Sequence, residues 1–162
     1  MMEAYLLQYR LLQKSRGVLF DFLEAKVGEK GINTPIAAYS MRTIAGLMQH
    51  SAACTINWLG SFALKLPDGS IAMPETPTIA TLRGLYRQID ELVNQFLTQT
   101  GDAMQVPING VHDACGALSA SPAELFTHVF SHEFHHKGQL LNMCRTLGHT
   151  PPDTDVSLFF EY

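Results

Sequence analysis

Four of the seven histidines in this 162-residue chain lie within nine residues of one another. They are His128, His132, His135 and His136. On an α-helix, residues four positions apart lie about 5–6 Å from each other on one face. His132 and His136 can therefore bind one metal ion, with ligand nitrogens about 2.0–2.1 Å from it. A lone histidine is usually a core or surface residue, but several buried imidazoles without a metal would each need hydrogen-bond partners. The pattern predicts a metal site, since neutral imidazole binds Zn, Ni, Cu and Fe.

The same segment contains the sequence H-E-x-x-H at His132, Glu133 and His136. In zinc peptidases the two histidines of this motif bind the metal and the glutamate is the general base. We interpret the match as accidental, because the longer form of the motif, with a third histidine at its fixed spacing, is absent. Glu133 also precedes Lys137 by four residues, which is the preferred orientation for an ion pair on a helix surface. We therefore expect a surface ion pair between Glu133 and Lys137.

A site with two histidines needs a further protein ligand, and the best candidate is His50 in the second predicted helix. His50 shares a helix face with Leu47, Cys54 and Trp58, so we expect it to point inward. Metal sites in helix bundles are built from side chains on facing helices. Three protein ligands would leave a coordination position open, which is typical of a catalytic rather than a structural site.

The elements that must position these residues are predicted to be helices. The apolar periodicity indicates four of them, over residues 3–27, 40–62, 78–100 and 121–147. Ser40 is the expected N-cap of the second helix, and Ser121 with Glu124 forms a capping box at the start of the fourth. Gly101 and Gly148 are expected to end the third and fourth helices. Residues 102–120 read as a long irregular loop, and residues 153–162 as a short docked segment.

With no persuasive alternating strand, the sequence predicts an all-α fold: a four-helix bundle formed as a single domain by residues 1–162.

The composition of the chain argues against several classes of function. The chain is 46% hydrophobic and 16% charged, with a formal charge of −4, and it has no Lys/Arg cluster of the kind that nucleic-acid binders use. No apolar run is long enough to span a membrane. Three cysteines without a CxxC pair are typical of a reducing compartment. We expect a cytoplasmic protein that binds neither nucleic acid nor membrane.

The sequence resembles the DinB/YfiT-like superfamily of small four-helix metalloproteins. The resemblance rests on His50 followed eight residues later by Trp58, and on the run from His128 to Gln139, where this superfamily typically reads H-x-x-x-H-x-x-H-H-R-G-Q. It also includes the Leu-Gly and proline residues at 147–152. Lys137 stands where arginine is common.

The resemblance implies an up-down-down-up bundle, often dimeric, that holds a divalent metal ion. Its ligands would be His50, His132 and His136. His128 and His135 match superfamily positions that are not usual ligands, and we expect them to orient ligands or line the pocket. Members of the superfamily resemble thiol-dependent enzymes, including transferases that use bacillithiol or mycothiol and a mycothiol-dependent maleylpyruvate isomerase.

Our leading hypothesis is a divalent-metal-dependent enzyme, most simply a thiol-dependent S-transferase in detoxification or stress response. Its ion would be Zn or Ni, its substrate a small molecule, and its cofactor a low-molecular-weight thiol. A metal-dependent hydrolase on the same scaffold and a non-catalytic dimeric metal-binding protein remain as alternatives, because all three need the same ligands. No catalytic residue beyond the ligands is assigned.

The other histidines and cysteines receive simpler interpretations. Cys54 shares the face of His50 and is expected to pack near the site, whereas Cys144 should pack away from it. His112 falls in the long loop and is expected to be solvated. His149 follows the fourth helix, where the helix dipole favours a cation.

Overall fold

The fold is mostly helical, and the computed structural model describes residues 2–113 and 115–160. The described residues contain four long helices, as predicted. Helix α1 spans Met2–Phe22 and continues through a π-helical segment, Leu23–Val27. Helix α2 spans Ile44–Thr55 and continues as a π-helical segment, Ile56–Ala63. Helices α3 and α4 span Ile79–Thr100 and Pro122–Thr146.

The end of the first helical region lies close to its predicted place. Gly28 follows the π-helical segment with a φ of 69°, a backbone conformation that glycine adopts without steric cost. The chain then forms one further short helical segment, Gly28–Ile32, beyond the predicted end of the first helix.

Two of the predicted helix starts are confirmed and one is wrong. Ser121 and Glu124 form the expected capping box, and α3 begins after an N-cap at Thr78. The N-cap of α2 is not Ser40 but Thr43, whose hydroxyl accepts a hydrogen bond from the Gly46 amide at 2.9 Å. Serine and threonine are both competent caps. The structure favours Thr43 because the preceding residues form turns, including one closed by the Arg42 amide and the Tyr39 carbonyl at 3.0 Å.

The predicted irregular loop contains two strands, so the expectation of a strand-free chain is wrong. Strands β1 (Ile108–His112) and β2 (Gly116–Ala120) pair antiparallel, with His112 opposite Gly116. Their alternating pattern is weak in the sequence because most of the side chains are small or exposed. Val111, the largest apolar residue at the tip, is 76% exposed.

All four helices contribute to one hydrophobic core. Edge-to-face rings connect α1 to α4 through Tyr5 and Phe126, and α1 to α3 through Phe20 and Tyr86. The Tyr86 hydroxyl donates to the Met48 carbonyl of α2 at 3.1 Å. Burying a large apolar side chain contributes about 1.5–3 kcal/mol, so these contacts hold all four helices in one core. The largest fully buried side chains include Leu12, Leu19, Met48, Leu59, Leu85, Phe96 and Phe126.

The segment after α4 docks as predicted, as far as residue 160. Gly148 ends the helix with a φ of 87°. Thr154 is buried, and its carbonyl accepts a hydrogen bond from the Ser15 hydroxyl of α1 at 2.7 Å. A 3₁₀ turn, Val156–Phe159, packs against α1. Residues 161 and 162 lie outside the described residues. Among the helices of the described residues, none is both long and apolar enough to cross a membrane.

Candidate metal centre

The three histidines predicted as ligands meet between α2 and α4. Each of His50, His132 and His136 offers one ring nitrogen, and these nitrogens all lie within 4.8 Å of one another. The ring centroids of His132 and His136 are 4.2 Å apart, and the ring of His50 lies 5.2 Å and 4.9 Å from them. The helical spacing of four residues and the packing of α2 on α4 together produce this cluster.

The spacing of the two donor atoms on α4 fits a shared ion. The Nε2 atoms of His132 and His136 are 3.1 Å apart. Two nitrogens each about 2.0–2.1 Å from one tetrahedral or octahedral ion lie about 2.9–3.4 Å from each other. In the metal-free protein the same distance accommodates an N–H···N hydrogen bond. The donor set, three imidazoles, therefore fits a divalent transition-metal ion.

The cluster also favours the form of histidine that binds metals. Burial lowers the pKa of His132 to about 4, with further lowering by the neighbouring His136 and His50 rings. Burial likewise lowers the pKa of His136, which the hydrogen bond that His136 donates to Gln139 partly offsets. Metal binding requires the neutral imidazole. At neutral pH these two rings can therefore bind a cation without first losing a proton.

Gln139 connects two of the histidines on α4. The Nδ1 atom of His136 lies 2.7 Å from Oε1 of Gln139, and Nε2 of Gln139 lies 3.1 Å from Nε2 of His135. His135 is thus placed beside the cluster and outside it, as expected from the sequence. We predicted no role for Gln139 from the sequence. Its three-residue spacing from His136 nevertheless indicates that the two residues share one face of α4.

A second group of side chains extends from the histidine cluster toward β1. Nε2 of His128 lies 3.5 Å from Sγ of Cys54, as expected for a thiol near the site. Burial raises the pKa of Cys54 to about 11, so it remains a thiol at neutral pH. The ring of His112 stacks on Trp58 with centroids 3.9 Å apart and planes 13° from parallel. His112 is therefore half-buried against the indole, which corrects the expectation that it is solvated.

The predicted surface ion pair between Glu133 and Lys137 is wrong. Glu133 is buried, and its Oε1 accepts from Nε of Arg16 at 2.6 Å. Lys137 donates instead to the Ser15 hydroxyl at 2.6 Å and to the Thr154 carbonyl at 2.9 Å. Arg16 donates hydrogen bonds to both carboxylate oxygens of Glu133, so this carboxylate is part of a buried ion pair in the core. That arrangement supports reading the H-E-x-x-H match as accidental.

The sequence profile of the DinB family matches residues 1–162. The chain belongs to the DinB family. It is also similar to a curated protein named "Protein DinB" from Bacillus subtilis (strain 168), with 23% identity over 124 residues. That alignment covers 72% of this chain and 72% of the other protein. The resemblance inferred from the histidine pattern is thereby confirmed at the level of the family.

This DinB-family protein has a cleft that leads to the histidine cluster from the side of the turn before α2. Its volume is about 470 Å³, within the range of about 300–1,000 Å³ that is usual for small-molecule sites. Asn142 of α4 donates to the Tyr39 hydroxyl and so ties this turn to the helix that carries His136. The cleft is lined by Ala38, Tyr39, Ser40, Met41, Leu47, His50, His136 and Gln139.

Proposed function

We propose that this protein is a divalent-metal-dependent enzyme whose ligands are His50, His132 and His136. The observation that carries the proposal is the convergence of three imidazole nitrogens within 4.8 Å, beside a cleft of small-molecule size. Three neutral protein ligands leave coordination positions for a substrate or solvent. Zn or Ni is the expected ion, since imidazole is a good ligand for both.

A bound divalent ion would supply Lewis acidity, which lowers the pKa of a coordinated thiol or water. The residues of the chain position the three proposed ligands. His50 of α2 and the two histidines of α4 face each other across the site, and Gln139 holds the ring of His136 at 2.7 Å. Leu47 and Met41 give the cleft an apolar wall beside the ligands, which favours an organic substrate with an apolar part.

We further propose that the reaction is a thiol-dependent S-transfer in detoxification or stress response. Family membership supports this, and so does the composition of the cleft. Among the described residues, its lining contains no cysteine, aspartate, glutamate or lysine, so the chain presents no thiol, carboxylate or amine there as a covalent nucleophile. The nearby Cys54 is a protonated thiol that is hydrogen-bonded to His128. It does not line this cleft. A nucleophile supplied in solution, such as a low-molecular-weight thiol, meets this need.

Metal content after native purification tests the ligand assignment. We expect about one ion per chain in the wild type, and loss of the ion in His50→Ala, His132→Ala and His136→Ala. His149→Ala is the matched control, because this histidine lies beyond the end of α4. Wild-type protein that takes up no divalent metal after loading would contradict the proposal, as would unchanged metal content in His132→Ala.

Activity on a panel of electrophiles, with and without low-molecular-weight thiols, tests the reaction class. Turnover that requires the thiol supports S-transfer. Turnover in its absence would instead show a hydrolase on the same scaffold. If no substrate turns over and the visible spectrum of the cobalt-loaded protein does not respond to added ligands, the protein is a non-catalytic metal binder.

We also propose the up-down-down-up order for the helices, formed as one domain over residues 1–162. Moving along α1 toward its end, the residue numbers of its partners increase on α4 and decrease on α3, which supports α1 parallel to α4 and antiparallel to α3. The supporting pairs are Tyr5 with Phe126, Ser15 with Lys137, Tyr9 with Asp90, and Asp21 with Arg83. On α2, His50 lies by His136 and Trp58 by His128, which supports α2 antiparallel to α4. The homodimer and the cytoplasmic location stay predictions.

A further inference from the structure

The hydrogen bonds of Gln139 bear on which nitrogen of His136 faces the cluster. An amide oxygen only accepts hydrogen bonds, and an amide nitrogen only donates them. With Oε1 of Gln139 2.7 Å from Nδ1 of His136, that Nδ1 must carry the proton and donate it. In a neutral imidazole, Nε2 is then unprotonated and presents a lone pair. This is the atom that lies 3.1 Å from Nε2 of His132.

His135 is the partner of the amide nitrogen of Gln139. Nε2 of His135 lies 3.1 Å from the amide nitrogen of Gln139, so it accepts the hydrogen bond that this nitrogen donates. A rotation of the amide by 180° would place a donor against Nδ1 of His136, and the proton of that ring would move to Nε2. Nε2 would then carry a hydrogen toward the cluster and could not bind a cation.

His132 has no comparable partner. Its Nδ1 atom is buried and makes no hydrogen bond with any of the residues that the structure describes. Metal-binding histidines almost always donate their second N–H to a partner that fixes the tautomer and the ring orientation. Of the two α4 ligands, only His136 is held in this way, so the geometry of the pair depends on Gln139.

We propose that Gln139 is a positioning residue that fixes His136 in the Nδ1–H tautomer, and that His135 fixes the orientation of Gln139. The inference rests on the proposed metal site and deepens it. It assigns a function to two side chains that are not among the proposed ligands of the ion. It also explains why an exposed histidine stands beside the cluster without joining it.

The first test reads the tautomer directly in the metal-free, full-length protein. Long-range ¹H–¹⁵N correlation spectra of ¹⁵N-labelled protein distinguish a protonated Nδ1 from a protonated Nε2. We expect the Nδ1–H form at His136 in the wild type and a mixture of forms in Gln139→Leu. Gln139→Glu keeps an accepting oxygen and should preserve the wild-type form. Gln95→Leu, the same substitution at an exposed position of α3, should change nothing at His136.

The second test measures affinity for Zn²⁺ by competition with a chromophoric chelator. Removing such an outer partner typically weakens metal binding by about 10- to 100-fold. We expect a loss of this size in Gln139→Leu, a smaller loss in His135→Ala, and near wild-type affinity in Gln139→Glu. A purely structural role would not be rescued by the glutamate. If Gln139→Leu fails to fold, His135→Ala carries both measurements.

The outcomes separate this inference from the proposed function. An Nε2–H tautomer at His136 in the wild type would overturn the inference, even if the protein binds zinc. An unchanged tautomer and unchanged affinity in Gln139→Leu would also overturn it. Wild-type protein that binds no zinc would overturn the proposed function, while the spectra of the metal-free protein would still decide the role of Gln139.

Discussion

At the residue scale, Glu133 shows how two adjacent side chains can belong to different structures. His132 belongs to the histidine cluster, whereas Glu133 turns into the core and pairs with Arg16, which also binds Asp90 at 2.7 Å. Arg16 is 5% exposed, and an ion this deeply buried is tolerated only when it is paired and hydrogen-bonded. The pair thus fixes α4 against α1 and, with it, the direction in which His132 points.

We therefore predict that Glu133→Gln destabilises the fold. Removing one partner of a buried ion pair leaves an uncompensated charge, which costs about 3–5 kcal/mol. Asp90 remains bonded to Arg16, so we expect a value near the lower end of that range. The free energy of unfolding from urea titration measures it.

Arg83→Gln is the matched control for this variant. Arg83 pairs with Asp21 and Glu24, whose side chains are 77% and 66% exposed, and exposed pairs contribute about 0–1 kcal/mol. If the zinc-peptidase interpretation were correct, Glu133→Gln would lose activity while its free energy of unfolding stayed unchanged. That result would contradict a structural role for the Glu133 carboxylate.

The sequence predicted the histidine cluster more readily than the partner of Glu133. His132 and His136 share one helix, so their spacing alone places them together. His50 needed the added premise that facing helices build bundle sites. Arg16 lies 117 residues from Glu133 in the chain, and no local rule connects them. The four-residue spacing to Lys137 was a valid local pattern that the tertiary contact overrode.

At the element scale, the starts of α3 and α4 were predictable from the sequence, whereas the N-cap of α2 was not. Ser121 and Thr78 each precede a clear apolar run, and both cap their helices. Before α2 the sequence predicted Ser40 as the cap, but the turn over residues 36–42 leaves Thr43 in that position. The β1–β2 hairpin was missed for a related reason: its small, exposed side chains give little period-two signal.

The corrected cap of α2 leads to a second prediction. Thr43→Ala should lower the free energy of unfolding by about 1 kcal/mol, because the helix loses the side chain that satisfies the Gly46 amide. Ser40→Ala should have almost no effect, since the Ser40 side chain caps no helix. Thermal or urea unfolding of the two variants measures both. Equal destabilisation by the two substitutions would contradict the assignment of Thr43 as the cap.

The capping box of α4 gives a prediction for pH. Hydrogen bonds from the Ser121 amide and then its hydroxyl lower the pKa of Glu124 below its ordinary value. A lowered folded-state pKa means that the carboxylate stabilises the fold above its unfolded-state pKa, about 4.3. That contribution is lost as the pH falls through the folded-state value. Glu124→Gln should therefore have a lower Tm than the wild type at pH 7, and the difference should shrink below about pH 4. A difference that is independent of pH would contradict this account.

At the scale of the whole molecule, the histidine cluster that we propose as the metal site is a product of the fold rather than of any one helix. His50 lies on α2, and His132 and His136 lie on α4, so the three nitrogens meet only when the core has brought these helices together. Neither helix holds more than two of the three ligands. A divalent ion should therefore bind the folded chain in strong preference to the unfolded chain, and its binding energy should add to the stability of the fold.

From this we predict that Zn²⁺ or Ni²⁺ raises the Tm of the chelator-treated protein in a concentration-dependent manner. An ion at 100 times its dissociation constant stabilises a folded protein by about 2.7 kcal/mol if it does not bind the unfolded chain. His50→Ala should abolish most of this shift, because it removes the ligand that connects α2 to α4, whereas His149→Ala should retain it. Thermal unfolding across a range of free metal concentrations, set with a buffer of known affinity, makes the comparison. A shift of equal size in His50→Ala would mean that the ion binds α4 alone, and the site would then lose its connection to α2.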